Sequence, residues 1–381
     1  MNTRIDTAVL AHRSPRTDDD APGWFRRAIH PFVPAGFQDP VGLARRLLRS
    51  KDPAAMFAMR AAATAPFCLP LDLMLQPFEQ RRYRRAAPPE RPIVLVCGPA
   101  RSGTTLAAQL LIRNLPVGYL DNLVSIFPRA PLTAMCRLGK HVLHETVVYR
   151  SYYGRTDGWS APNDALNLWD RWLGGDRSRA PDRIPAKERS EMVAFFGALE
   201  RQTGKPVVAK NNALNACAHL VAEALPTARF VCLQRSRASL ALSLYKARMD
   251  IHGRPTVPYG LTSKDERCLE DAIEDVCRQV LYHEALAREQ QARLGPERFM
   301  LVQFEDVCRD PRSYVENVGR AFVAVKPDFG ATDPELRAFN YGHRAGDVEL
   351  LGRLRETFIR LGAECEFPSP GNSQPAVAAR A

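Results

Sequence analysis

Two clusters of small, hydroxyl and basic residues have the spacing of anion-binding sites. The first is the segment 98–105, Gly-Pro-Ala-Arg-Ser-Gly-Thr-Thr, between the apolar run Ile93–Cys97 and the helical pattern of residues 106–112. Glycines let the backbone wrap closely around a ligand. The N–H groups at a helix start point at one spot and carry the positive end of the helix dipole. The sequence therefore predicts a phosphate-binding loop between a strand and a helix.

The loop differs from that of kinases and nucleotide hydrolases. Their pattern, Gly-x-x-x-x-Gly-Lys-Ser/Thr, places lysine on the β- and γ-phosphates and a hydroxyl on Mg²⁺. Here Thr104 stands at the lysine position, and the basic residue, Arg101, lies inside the loop. No acid follows residues 231–233, where such enzymes carry a Mg²⁺ ligand. We therefore expect a compact anion to be bound without a metal. The residues expected to hold it are Gly98, Arg101, Ser102, Gly103, Thr104 and Thr105.

The second cluster follows the apolar run 229–233. Arg235 lies just past the end of this predicted strand, and Ser243 follows eight residues later, about two helical turns on. Ligands of parallel α/β sheets bind outside the carboxyl ends of the strands. An arginine and a hydroxyl at this spacing can reach one phosphate from two sides. The two clusters together predict a ligand that carries two phosphate-like groups.

Strand and helix patterns alternate along the chain. Strands are predicted at 93–97, 116–120, 206–210, 229–233 and 298–303, and helices at 264–294, 311–325, 333–340 and 347–362. This alternation predicts an α/β, P-loop-type three-layer fold with a central parallel sheet of about five strands. Residues 91–365 form this domain, after a basic helical N-terminal extension at 21–90. Residues 1–20 and 366–381 are predicted to be a disordered lead and tail.

The N-terminal extension carries much of the positive charge. The whole chain has a formal net charge of +11, and residues 21–91 contain 12 Lys and Arg against 5 Asp and Glu, or +7. Asp39-Pro40 and Asp52-Pro53 each predict the start of a short helix. No run long enough to span a membrane is expected, because Arg60, Pro66 and Asp72 interrupt residues 54–75. The extension either packs on the domain or forms an amphipathic contact with an anionic membrane.

The cysteines and the N-terminus bear on location. Nine scattered cysteines include no Cys-x-x-Cys pair, so neither a disulfide framework nor a zinc site is indicated. Residues 1–20 lack the apolar core of a signal peptide. We expect a cytoplasmic protein whose basic extension can contact the inner face of the membrane.

Both clusters resemble those of sulfotransferases that use 3′-phosphoadenosine 5′-phosphosulfate (PAPS). The resemblance spans about residues 92–320 and is closest to the tyrosylprotein and bacterial branch. It implies that the loop binds the 5′-phosphosulfate, that Arg235 and Ser243 bind the 3′-phosphate, and that Lys210 reaches the transferring sulfuryl group. Two positions depart from the family pattern. Ser236 stands where the family has Asp, and Phe304 stands where it has Tyr, so a phenol hydrogen bond to the nucleotide is lost.

The resemblance implies in-line, metal-independent transfer of a sulfuryl group to a hydroxyl or amine, with release of adenosine 3′,5′-bisphosphate. The catalytic residues are then Arg101 and Lys210, with a general base chosen from Asp121, His141, His144 and Glu145. Asp121 stands near the place of a Glu pair in the tyrosylprotein branch.

The acceptor stays open between a small molecule, a lipid, a glycan and a peptide, and no nucleic-acid partner is expected. The segment 149–164, with Arg155, Trp159 and Asp164, is predicted to shape its pocket. The oligomeric state is not indicated. Two alternatives remain, a P-loop kinase or nucleotide hydrolase and a non-catalytic membrane-associated protein that retains the fold.

Overall fold

The computed structural model describes residues 40–139, 149, 151–263, 271–329, 338–339 and 345–364. In these residues the centre is a parallel sheet of four strands, in the order β2-β1-β3-β4. The strands are β1 (Ile93–Cys97), β2 (Val207–Lys210), β3 (Ala228–Gln234) and β4 (Phe299–Gln303). All residues of β1 and β2 are buried, as expected for strands covered on both faces.

Helices cover both faces of the sheet, so the predicted three-layer α/β fold is confirmed. Alternate residues of β1 point to opposite faces, with Ile93 and Leu95 in one apolar cluster and Val94 and Val96 in the other. The helices are α1 (Pro40–Ser50), α2 (Pro53–Arg84), α3 (Thr104–Asn114), α4 (Leu123–Ile126), α5 (Pro131–Leu138), α6 (Leu166–Leu173), α7 (Ala186–Thr203), α8 (Leu214–Ala224), α9 (Arg237–Ala247), α10 (Ala272–Leu294), α11 (Phe304–Arg309), α12 (Pro311–Val318) and α13 (Val348–Arg360). Single π-helical turns, Arg248–His252 and Gly319–Val323, follow α9 and α12.

The connections of the sheet reverse direction between β1 and β3. The chain leaves β1 for β2 on one side, and it leaves β3 for β4 on the other. Such a switch point opens a crevice at the carboxyl ends of the two strands. The segment 98–105 follows β1, and Arg235 follows β3, so both predicted anion clusters lie at this crevice.

The predicted strand at 116–120 is reduced to one bridge, Gly118 to Val207. The Gly118 N–H donates to the Pro206 carbonyl at 2.7 Å, and its own carbonyl accepts from the Val208 N–H at 2.8 Å. Proline at 116 supplies no N–H, and the chain turns away at Asp121 to begin α4, so a ladder does not extend. The helix predicted at 333–340 lies almost wholly outside the described residues.

Helix α2 corrects the expectation of a short helix there. It runs unbroken for 32 residues through Pro66, Pro70 and Pro77. Asp52 caps its start and accepts from the N–H groups of Ala54 and Ala55. Among the described residues it is the one helix long and apolar enough to cross a membrane, by length and composition alone.

Two buried carboxylates fix α2 to the domain. Asp72 and Glu79 are both 0% exposed. Asp72 accepts from the N–H groups of Arg129 and Ala130, just before α5 begins. Glu79 accepts from the N–H groups of Leu132 and Thr133 and from the Thr133 hydroxyl. Burial raises the pKa of Asp72, while the hydrogen bonds from the Arg129 and Ala130 N–H groups lower it. The carboxylates therefore satisfy the free N–H groups at the start of α5 from another helix.

We predict that Glu79→Ala lowers the free energy of unfolding by about 2–4 kcal/mol, because three buried donors lose their acceptor. Urea denaturation followed by circular dichroism measures the loss. Gln80→Ala, at the exposed neighbouring position of the same helix, should change stability by less than about 0.5 kcal/mol. Equal effects of the two substitutions would contradict the capping role of Glu79.

Candidate active site

The loop that follows β1 is closely packed at both of its glycines. Gly98 has φ +138° and Gly103 has φ +95°, in the region that favours glycine. A Cβ at Gly98 would lie 2.6 Å from the Leu233 carbonyl oxygen, and one at Gly103 would lie 2.1 Å from the Phe304 ring. The loop is therefore held directly against β3 and α11. Helix α3 begins at the next residue, so its free N–H groups face the crevice.

Arg101 joins the loop to the second cluster. Its Nε donates to the Ser243 hydroxyl at 3.2 Å, and its backbone carbonyl accepts from Arg235 Nη1 at 3.0 Å. Its guanidinium lies 4.4 Å from the centre of the Tyr153 ring. Arg101 also has φ +72°, a left-handed conformation that costs a non-glycine residue about 1 kcal/mol or more. The structure thus brings Arg101, Arg235 and Ser243 together, as the two sequence clusters predicted.

Arg235 retains hydrogen-bonding capacity in this arrangement. Its guanidinium lies 4.8 Å from the centre of the Phe304 ring, and its buried Nε has no hydrogen-bond partner. Burial lowers the pKa of Arg235, opposed by the nearby Glu305 carboxylate. A buried donor without an acceptor costs about 1–3 kcal/mol. Phe304, noted in the sequence only for its missing hydroxyl, both fills the space beside Gly103 and supports Arg235.

Lys210 lies at the end of β2 and faces α3. Its Nζ is 2.6 Å from the Asp164 carboxylate and donates to the Thr105 hydroxyl at 3.1 Å. The Thr104 hydroxyl donates to Asn212 Oδ1 at 3.1 Å. Thr105 is thus tied to the last residue of β2, and Thr104 is tied to the segment that follows it. Ser102 has a different position, since its hydroxyl is buried and donates to the Pro99 carbonyl within the loop itself.

A cavity of about 680 Å³ opens in front of these residues. Its polar end is lined by Arg101, Thr104, Thr105, Lys210 and Arg235. Its apolar wall comes from α2 and from α4 and α6, with Phe57, Ala58, Ala61, Ala65, Ile126 and Leu166. The arrangement can bind an anion at one end and an apolar or mixed group at the other.

The candidate bases occupy different places. Asp121 does not line this cavity, although Asn122 does. One oxygen of Asp121 accepts from the Leu123 N–H at 3.0 Å, at the start of α4. Burial raises the pKa of Asp121 to about 7, partly offset by backbone hydrogen bonds. The other candidates lie outside the described residues: His141, His144 and Glu145.

Asp164 is the carboxylate that the structure brings to Lys210, and it lines the cavity. The sequence indicated it only as one polar residue of the segment 149–164. That segment does border the cavity, with Tyr153 on Arg101 and with Arg155 in the lining. Trp159 instead packs its ring against Phe57 of α2, at a centroid distance of 4.8 Å. No local pattern in the sequence marks Asp164 as the partner of Lys210.

The parallel sheet, the glycine-rich loop and the two neighbouring arginines define an α/β protein whose basic side chains meet at one crevice. A sequence model of the sulfotransferase family matches residues 92–323, so this chain belongs to that family. A search of curated protein sequences finds no match. No group of three or more His, Cys, Asp or Glu side chains that could hold a metal ion occurs in the described part of the chain.

The solved structures that this chain is similar to include three bacterial sulfotransferases. STF9 from Mycobacterium avium is 16% identical over 92% of this chain and 100% of its own, with a TM-score of 0.48. STF1 from Mycobacterium tuberculosis H37Rv is 14% identical over 86% of this chain and 92% of its own, with a TM-score of 0.45. A sulfotransferase from Alicyclobacillus acidocaldarius is 15% identical over 72% of this chain and 98% of its own, with a TM-score of 0.35.

The raised pKa of Asp121 predicts a pH-dependent stability. In the folded protein this carboxyl keeps its proton up to about pH 7. In the unfolded chain it loses the proton near pH 4. The protonated Asp121 carboxyl therefore contributes its whole stabilising effect below about pH 4. This contribution is lost as the pH rises through about 7.

Asp121→Asn, which cannot ionise, should gain stability relative to the natural protein as pH rises from about 4 to 8. Urea unfolding across this range measures the difference. A stability difference that stays constant with pH would contradict the buried environment of Asp121.

Proposed function

We propose that this protein transfers a sulfuryl group from PAPS to a hydroxyl or amine of an acceptor and releases adenosine 3′,5′-bisphosphate. The observation that carries the proposal is the direct contact between the two anion clusters, through Arg235 and the Arg101 carbonyl. PAPS carries a 5′-phosphosulfate and a 3′-phosphate on one ribose, so its two anionic groups require two neighbouring sites. A γ-phosphate and its Mg²⁺ would instead need the lysine that Thr104 replaces.

Each cluster has a role in this proposal. The amides of residues 103–105 and the Thr105 hydroxyl bind the 5′-phosphosulfate at the positive end of α3. The Thr104 hydroxyl instead holds Asn212 beside the loop. Arg235, through its unpartnered Nε, and Ser243 bind the 3′-phosphate. The Gly98 turn and the Ser102 hydroxyl hold the loop in shape.

In the transfer step the acceptor oxygen or nitrogen forms a bond to sulfur while the bond from sulfur to the phosphate oxygen breaks. The electron pair of the broken bond stays on the phosphate, and the acceptor proton passes to a base. Charge develops on the sulfuryl oxygens and on the departing phosphate. Arg101 and Lys210 stabilise this charge, in the manner of phosphoryl transfer, and no metal ion is required.

For the general base we favour Asp164 over Asp121. Asp164 lines the cavity and contacts the lysine assigned to the sulfuryl group. A base has to reach the acceptor proton, and this geometric requirement comes before the pKa. Asp121 has a pKa of about 7, which suits a base, but its position at the start of α4 is less favourable. His141, His144 and Glu145 remain candidates from the sequence alone.

The lining of the cavity supports one class of acceptor over another. Its apolar wall, with Phe57 and Ile126, supports an acceptor that carries hydrocarbon as well as a hydroxyl or amine. A small amphiphile or a lipid fits this lining better than a glycan. The scattered cysteines of the sequence support a reducing compartment, so we place the reaction in the cytoplasm.

The first test is transfer of ³⁵S from labelled PAPS into protein, glycan and lipid extracts. Labelled product in an organic-solvent fraction is the expected result, and product identification names the acceptor. Binding to immobilised adenosine 3′,5′-bisphosphate, compared with ATP and Mg²⁺, excludes or supports a kinase. Preference for ATP with Mg²⁺ would overturn the proposal. Bisphosphate binding without transfer to any extract would favour the non-catalytic alternative.

Arg235→Met is predicted to weaken binding of adenosine 3′,5′-bisphosphate by roughly 30- to 150-fold, the loss of about 2–3 kcal/mol for a charged hydrogen bond. The same substitution should weaken binding of adenosine 5′-phosphate, which lacks the 3′-phosphate, by less than about threefold. Calorimetry measures both affinities. Arg229→Met, at the opposite end of β3, is the matched control. A similar loss for both nucleotides would mean that Arg235 only supports the loop.

Asp164→Asn is predicted to slow ³⁵S transfer by about 100-fold or more, as expected for loss of a general base. Its affinity for adenosine 3′,5′-bisphosphate should stay within about threefold of the natural protein. Asp121→Asn should slow transfer by less than about tenfold under the same conditions. The reverse order of the two effects would assign the base to Asp121.

A further inference from the structure

Helix α2 exposes an apolar stripe to solvent. Phe67 is 85% exposed, Leu71 39%, Met74 70% and Phe78 48%. Their spacing of four, three and four residues places them along one face of the helix. Leu73, 48% exposed, lies beside this stripe. Large apolar side chains in a continuous row mark a surface that another body covers.

Arginines stand at both ends of the stripe. Arg60 precedes it, and Arg81, Arg84 and Arg85 follow it, all exposed. The guanidinium of Arg137, on α5, lies 5.1 Å from the centre of the Phe78 ring. The acids of the helix are Asp72 and Glu79, and both point inwards with no exposed area. The outer face of α2 therefore combines apolar area with positive charge and no carboxylate from its own helix.

The inner face of α2 keeps the helix on the domain. Phe57, Ala61, Ala65 and Leu75 belong to an apolar cluster with residues of α4 and α5. The Asp72 and Glu79 carboxylates add their hydrogen bonds to the start of α5. A transmembrane orientation would require these contacts to break and two carboxylates to enter lipid, which is costly. A helix fixed lengthwise on a domain can instead lie in the plane of a membrane surface.

We propose that the outer face of α2, formed by Arg60, Phe67, Leu71, Met74, Phe78, Arg81 and Arg84, docks on a membrane surface rich in anionic lipids, together with Arg85 just past the end of the helix. The apolar stripe covers twelve residues, or about 17 Å of helix, and enters the boundary between headgroups and acyl chains. The arginines contact the negatively charged headgroups at both ends. Charge complementarity selects this partner, because the described outer face of α2 carries arginines and no acid from its own helix.

The position of the docked helix bears on the reaction. Phe57, Ala58 and Ala61 line the candidate cavity from the same helix. Docking therefore brings the apolar wall of the cavity close to the bilayer. The membrane contact itself rests on α2 alone and does not depend on the proposed transfer of sulfuryl groups.

Vesicle sedimentation of the full chain tests the proposal, with no nucleotide present. Vesicles of phosphatidylcholine mixed with phosphatidylserine should bind the protein, and binding should weaken at high salt. Vesicles of phosphatidylcholine alone should bind it weakly. A double variant, Phe67→Ser with Met74→Ser, should reduce partitioning by at least about tenfold. Replacing Arg81, Arg84 and Arg85 with glutamine should reduce it roughly fivefold for each arginine removed.

Two exposed apolar residues of α13 provide the matched control. Val348 is 70% exposed and Ile359 is 59% exposed, and neither lies on α2. Val348→Ser with Ile359→Ser removes similar apolar area and should leave partitioning unchanged. Equal losses in both double variants, or equal binding to neutral and anionic vesicles, would overturn the proposal.

Light scattering distinguishes the membrane from a second copy of the chain as the partner of this face. A dimer that the Phe67 and Met74 substitutions abolish, in a protein that binds no vesicles, would make a second copy of the chain the partner and would overturn the membrane proposal. Melting temperatures of the variants should match that of the natural protein, since the substituted side chains are exposed.

Discussion

The close approach of the loop to β3 is the constraint on which the site depends. At Gly98 there is no room for a side chain, because a Cβ would lie only 2.6 Å from the Leu233 carbonyl oxygen of the neighbouring strand. The parallel register of β1 and β3 pairs Cys97 with Cys232, so the residues that follow each strand emerge side by side. This is why Arg235 reaches the Arg101 carbonyl although 134 positions separate the two residues. The backbone of the sheet, rather than any side chain, sets the spacing of the two anion clusters.

Several positively charged side chains lie close together at the crevice, and this lowers the stability of the folded protein locally. Arg101, Lys210 and Arg235 surround one cavity, and Asp164 is the carboxylate in contact with Lys210. Arg235 is largely buried, and its unpartnered Nε leaves its hydrogen bonding incomplete. Phe304 and Tyr153 place aromatic faces against the two guanidinium groups, which holds them without supplying an opposite charge. Under the proposed function, this arrangement is preorganised for a ligand with separated negative groups, at the expense of local stability.

The sequence predicted the parts of this structure that depend on local patterns. A short apolar strand, a glycine turn and a helix start occur together at Ile93–Asn114, and the arginine after β3 stands at a strand end. The parts it missed depend on contacts between distant segments. The run 116–120 has strand composition, yet only Gly118 meets the edge of β2. Asp164 lies in a segment without periodicity, so its contact with Lys210 cannot be read from spacing. The prolines of α2 suggested breaks, but packing on α4 and α5 keeps the helix continuous.

Helix α2 also reverses the usual distribution of polar and apolar side chains. Its carboxylates are inside and its largest apolar side chains are outside, so its average hydropathy says little about its orientation. Asp72 and Glu79 can be buried because the start of α5 offers N–H groups that need acceptors. Phe67 and Met74 gain nothing comparable in water, since exposed apolar area does not stabilise a fold. The proposed membrane contact would give the outer side of α2 a second apolar phase. The arginines at the ends of the stripe match the negatively charged surface of such a phase.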